Sequence, residues 1–116
     1  MAEETKIKEL TKKRASIKSQ LTQFTSFLTT TKSCAQLSEE QLVELEMRID
    51  KLVSLYATYD QFQGQLEYLS TKPDEQFADR EQFECQYYRQ LASARALVSQ
   101  HRSQLASKKH LRRQRF

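Results

Sequence analysis

The sequence predicts an all-α fold, an elongated antiparallel three-helix bundle with coiled-coil-like helices. Three observations carry that prediction. Apolar residues recur at alternating steps of three and four along most of the chain. One Gly and one Pro in 116 residues leave too few turn formers for a many-stranded sheet. Two breaks, after Thr31 and around Pro73, divide the chain into three long segments. The competing architecture is a pair of long helices that completes its core as a dimer, because an apolar seam states only that some helix faces it.

The first predicted helix spans residues 3–31. Its series is Ile7, Leu10, Ile17, Leu21, Phe24 and Leu28, with Arg14 filling one slot. This is the 3.5-residue repeat of a coiled-coil seam. Glu3 and Glu4 suit the positive end of the helix. Thr29, Thr30 and Thr31 favour exit from it through their β-branching.

The second predicted helix spans residues 38–70. Ser38-Glu-Glu-Gln41 is a capping box, in which hydroxyl and amide satisfy each other's backbone donors. Leu42, Leu45, Ile49, Leu52, Tyr56, Tyr59, Phe62, Leu66 and Leu69 follow. The seam slot at Gln63 is polar, and Phe62 is expected to take over its core role. Gly64 costs about 1 kcal/mol relative to Ala in mid-helix. It reads either as a tolerated defect or as a site where a neighbouring helix comes close.

The third predicted helix spans residues 75–106. Pro73 lacks a donor and is tolerated in a first turn, with Asp74 and Glu75 favourable beside it. Phe77, Phe83, Tyr87, Leu91, Ala94, Val98, His101 and Leu105 supply the apolar series. His101, in a seam position, reads as a core histidine rather than a ligand. The chain therefore divides into a helical bundle over 1–106 and a basic C-terminal tail over 107–116. Ile49, Leu52, Tyr56, Leu91 and Val98 are the expected central packing and self-association residues.

Charge is segregated along the chain. Residues 1–33 hold seven basic and three acidic side chains, 34–86 hold four and twelve, and 87–116 hold eight and none. An acidic second helix can lie between two basic neighbours, which helps to specify pairing. The tail carries Lys108, Lys109, Arg112, Arg113 and Arg115 without a compensating acid. Such a run can hold nucleic-acid phosphates through counterion release, which makes RNA a candidate partner; it reads equally as a solvated helix end, where cations suit the dipole.

Sites of chemistry are not expected. His101 and His110 are nine residues apart and do not share a helical face as i, i+4 ligands do. Cys34 and Cys85 belong to no CxxC pair and read as free thiols. One glycine cannot supply a phosphate-binding loop. Most aromatic residues fall at seam spacing and read as core rather than as a base-stacking platform. The expectation is a protein that is not an enzyme and has no cofactor, metal or small-molecule substrate. No apolar stretch approaches the roughly 20 residues of a membrane span. The opening Met-Ala-Glu-Glu-Thr-Lys lacks the apolar run of a signal peptide, and Ala2 stands where N-myristoylation needs Gly. An intracellular protein with no membrane partner is expected.

The order of three segments carries a family resemblance. The first helix holds Lys13-Arg14 followed by Thr22-Gln-Phe24-Thr-Ser-Phe27-Leu28. The second holds Leu42-Val-Glu-Leu45-Glu-Met-Arg48-Ile49-Asp-Lys-Leu52. The third holds Arg80-Glu-Gln-Phe83-Glu84-Cys-Gln-Tyr87. Over about residues 8–100 this succession resembles the N-terminal Gag region of BEL/Pao-type LTR retrotransposons, or a domesticated derivative of one. The resemblance implies a structural module that helps Gag chains gather into a virus-like particle around element RNA. It implies a homo-oligomer in which helix surfaces bury one another and the basic ends touch RNA. A cellular helical adaptor and a primarily nucleic-acid-binding module are the rival readings.

Overall fold

The computed structural model describes the backbone of residues 2–114 and the side chains of residues 2–107. It contains α1 (Ala2–Lys32), α2 (Glu39–Leu69) and α3 (Pro73–Gln114), and no strand among the described residues. The three run up, down and up in a rod of 75 × 21 × 20 Å. α2 lies between its neighbours and shares longer interfaces with α1 and α3 than these share with each other.

Each end has a local cause. Ser38 caps α2: its Oγ accepts from the Gln41 N–H at 3.1 Å, and Gln41 Oε1 accepts from the Ser38 N–H at 2.8 Å. Leu37 and Leu42 occupy the staple positions on either side of this box and are both buried. At the far end the Ser70 N–H reaches the Leu66 carbonyl at 2.9 Å, and Ser70 Oγ accepts from the Lys72 N–H. Pro73 opens α3 two residues before the expected start, with Asp74 and Glu75 in the first turn. The threonines at the end of α1 stay helical, because Thr29, Thr30 and Thr31 each donate to the carbonyl four residues back. α3 does not stop at residue 106; its backbone continues as helix to Gln114. Lys, Arg, Gln and Leu are good helix formers and need no apolar partner to continue one.

The seams meet within one chain. Leu10, Ile17, Leu21, Phe24 and Leu28 of α1 are buried, as are Leu42, Leu45, Ile49, Leu52, Tyr59 and Leu66 of α2. α3 adds Phe83, Tyr87, Ala94 and His101. Tyr59 stacks on Phe83 with centroids 3.7 Å apart, and Tyr56 stacks on Tyr87 at 4.8 Å. Phe62 packs half-buried against the core, as expected, but it does not replace Gln63, which keeps the seam slot and is itself fully buried. Close approach at Gly64 is also corrected: a Cβ built there would meet nothing within 4 Å.

Candidate functional site

Arg14 and Gln63 are the polar exceptions in two otherwise apolar seams, and they meet. Antiparallel pairing of α1 and α2 brings them to one level, where Arg14 Nη1 donates to Gln63 Oε1 at 2.9 Å. The same nitrogen donates to Gln76 Oε1 at 2.7 Å, which draws in the first turns of α3. Gln63 Nε2 donates to the Gln76 backbone carbonyl at 2.7 Å. One turn further along α3, Asp79 accepts from Tyr59 Oη at 2.8 Å and from Lys18 Nζ, with Arg14 at 3.7 Å. Three helices are thus locked by a largely buried set of polar groups. No buried side-chain nitrogen or oxygen among the described residues lacks a partner.

The electrostatics follow from these contacts. Burial pushes the Asp79 carboxyl up. Hydrogen bonds from Lys18 and Tyr59, with the Arg14 and Lys18 charges, outweigh it and hold the carboxyl below its ordinary range. Burial and then the bond to Asp79 push the Tyr59 phenol well above its usual value. Asp79 is surrounded by donors already bound to it, so this arrangement holds helices in register.

The outer interfaces differ in kind. Between α1 and α2, cations cover aromatic rings: Arg48 lies 3.9 Å from the Phe27 centroid and Lys13 5.7 Å from that of Phe62. Between α2 and α3, two arginines each clamp carboxylates. Arg80 binds Glu67 at 2.7 Å, Asp60 at 2.6 Å and Glu84 at 3.2 Å. Its bonds to Glu67 chiefly raise the Arg80 pKa further, which keeps the guanidinium charged. Arg102 bridges Glu39 and Glu46 near the opposite end. Acidic α2 does pair with basic α3, as its charge suggests. The charged groups of α1 that reach another helix's carboxylate, Arg14 and Lys18, go to Asp79 of α3.

The residues singled out from the sequence separate into three groups. Ile49 and Leu52 are buried in the core. Tyr56, Leu91 and Val98 are half-buried against it, along the α2/α3 side. Tyr56 donates to Glu84 at 2.8 Å, a bond that with burial pushes its phenol up. Lys108, Lys109, Arg112, Arg113 and Arg115 lie outside the residues whose side chains are described. Gln63, Gln76, Asp79, Arg80 and Arg102 carry the interhelical polar contacts and were not singled out as site residues. The signal available for them was a pair of polar residues, Arg14 and Gln63, in slots where the repeat demands apolar ones.

The cavities of the described surface are open grooves between helices. One between α1 and α2 is lined by Gln20, Phe24, Arg48 and Leu55, and one between α2 and α3 by Ile49, Asp50, Arg95 and Val98. Among the described residues no group of three or more His, Cys, Asp or Glu side chains is placed to hold a metal ion. No described helix is long and apolar enough to cross a membrane. Comparison with protein-family models, curated proteins and solved structures finds no match to this chain.

Proposed function

We propose that this chain is a non-enzymatic assembly module that acts inside the cell by associating with copies of itself, as the N-terminal Gag region it resembles would in building a particle around RNA. The observation that supports this most is where the motif residues go. Phe24, Leu28, Leu45, Ile49, Leu52, Phe83 and Tyr87 are buried in joining the three helices. What remains for function is the outside of a rod 75 Å long, which offers length and charge pattern rather than an enclosed cleft. Surfaces of that kind serve macromolecular partners. The basic tail adds nonspecific RNA contact through Lys108, Lys109, Arg112, Arg113 and Arg115.

The test is sedimentation velocity on the pure chain over a wide concentration range, at low and high salt, with and without single-stranded RNA. The assembly reading expects species heavier than 13.7 kDa that grow with concentration without RNA. A chain that stays monomeric alone and binds RNA with a steep salt dependence favours the nucleic-acid-module reading. A chain that stays monomeric and ignores RNA favours the adaptor reading.

A further inference from the structure

We propose that the α2/α3 face is the surface on which a second copy of this chain docks, about a twofold axis parallel to the helices, with Asp50 of each copy paired to Arg95 of the other. The inference rests on the assembly reading and names its interface.

The charge pattern along this face points there. The two arginine clamps close off its ends, Arg102 on Glu39 and Glu46, and Arg80 on Asp60, Glu67 and Glu84. Between them no ion pair crosses from α2 to α3 among the described residues. That window is half apolar: Val53 is 40% exposed and Tyr88 55% exposed, with Tyr56, Leu91 and Val98 half-buried beside them. Its charges are Asp50 and Arg95, both exposed and both lining the same groove. Neither makes an ion pair or a side-chain hydrogen bond, although the groove between them is open. Arg95 acts only at a distance, in opposing the rise of the Tyr87 phenol pKa.

An acid on one helix and a base on its neighbour, at one level, make the face self-complementary. A twofold axis parallel to the helices sets α2 of one copy against α3 of the other at the same height. Asp50 then meets Arg95 twice, and Val53 meets the level of Leu91 and Tyr88. Because α2 and α3 run in opposite directions, each new neighbour is antiparallel, as in a four-helix bundle. An axis across the helices would instead set α2 on α2 and Asp50 near Asp50. The area is adequate. From Glu39 to Glu67 the face is about 42 Å long at 1.5 Å per residue. With the rod 20 Å thick, that is roughly the 800 Å² per partner of a standard interface.

The other faces are less suited. Between α1 and α2 the rings of Phe27 and Phe62 are already covered by Arg48 and Lys13. The α1/α3 groove is lined largely by polar side chains, among them Lys18, Thr22, Gln82 and Gln86.

Charge reversal tests this on the full chain. Asp50→Arg and Arg95→Asp each set like charges opposite one another twice in a dimer of the variant, while the mixed dimer restores two opposite-charge contacts. Sedimentation velocity should show each variant dissociating at concentrations about tenfold or more above those of the native chain. An equimolar mixture should return to within about threefold of native behaviour. Circular dichroism of each variant should match the native chain, since both side chains are unpaired in the monomer. If the native chain associates and the reversals change nothing, or the mixture is no tighter than its components, the α2/α3 assignment is wrong and the assembly reading stands. If the native chain is monomeric at every concentration, as a face kept for a different protein would make it, the assembly reading fails and takes this proposal with it.

Discussion

Arg14 sits in a slot where α1 otherwise places Ile or Leu, and Gln63 does the same in α2. Each alone would be a defect; together with Gln76 and Asp79 they satisfy one another. A buried polar pair of this kind sets register at some cost in stability. Arg14→Leu strands the side-chain carbonyl of Gln63 and leaves that of Gln76 only the longer bond from Gln63 Nε2 at 3.5 Å, and Gln63→Leu takes one of two acceptors from Arg14 and a second donor from the Gln76 backbone carbonyl. Each should cost about 1–3 kcal/mol in urea unfolding. The double Arg14→Leu, Gln63→Leu variant should cost clearly less than the sum, because both seam slots are then apolar. Additive losses would show that the pair is not a unit. Asp79 gives the set a pH dependence. Its carboxyl is held down in the fold, so its contribution is present above the ordinary carboxylate pKa and is lost as pH falls through the lower folded value. Native stability should therefore fall below about pH 4, and Asp79→Asn should be less stable at neutral pH with a flatter acid limb. Gly64 lies at the opposite extreme. With open space around its Cα, Gly64→Ala should stabilise the chain by about 0.5–1 kcal/mol, raising the urea midpoint.

α2 is the element on which the others depend. It begins at a two-way cap, and Ser38→Ala should cost about 1 kcal/mol and fray its first turn, seen as faster amide exchange there. Tyr56 and Tyr59 are set against α3. Tyr56 is held protonated chiefly by its bond to Glu84 and Tyr59 chiefly by burial; Tyr87, facing them, is also raised by burial. Raised phenols contribute stability that is present below the ordinary tyrosine pKa and is lost as pH rises through the folded values. Part of the phenolate absorbance should therefore appear only together with loss of helix, above about pH 10. Complete ionisation of all five tyrosines with the helix signal intact would contradict the packing. Much of this element was legible in advance: the cap, the seam from Leu42 to Tyr59, and the break at Ser70. Gln63 was not, because a polar residue in a seam slot reads as a lapse in the repeat until its partner on another helix is known. The interhelical carboxylate clamps were hidden for the same reason. Glu39, Glu46, Asp60 and Glu67 look like an ordinary acidic face until α3 brings Arg102 and Arg80 to it. The end of α3 was misplaced because apolar spacing stops near Leu105, whereas helix propensity continues.

At the scale of the molecule the three seams close on one another within the chain, so the proposed association would fall to the outer faces. The long axis is more than three times either cross-axis, which gives each face enough length to carry a partner. This separates folding from assembly, and the separation is the central claim. It is tested most directly by one dilution series in which light-scattering mass and helical circular dichroism are read on the same samples. The account predicts that mass falls toward 13.7 kDa on dilution while ellipticity per residue holds. Helix signal lost in step with mass would mean that two chains share one core, and would contradict it.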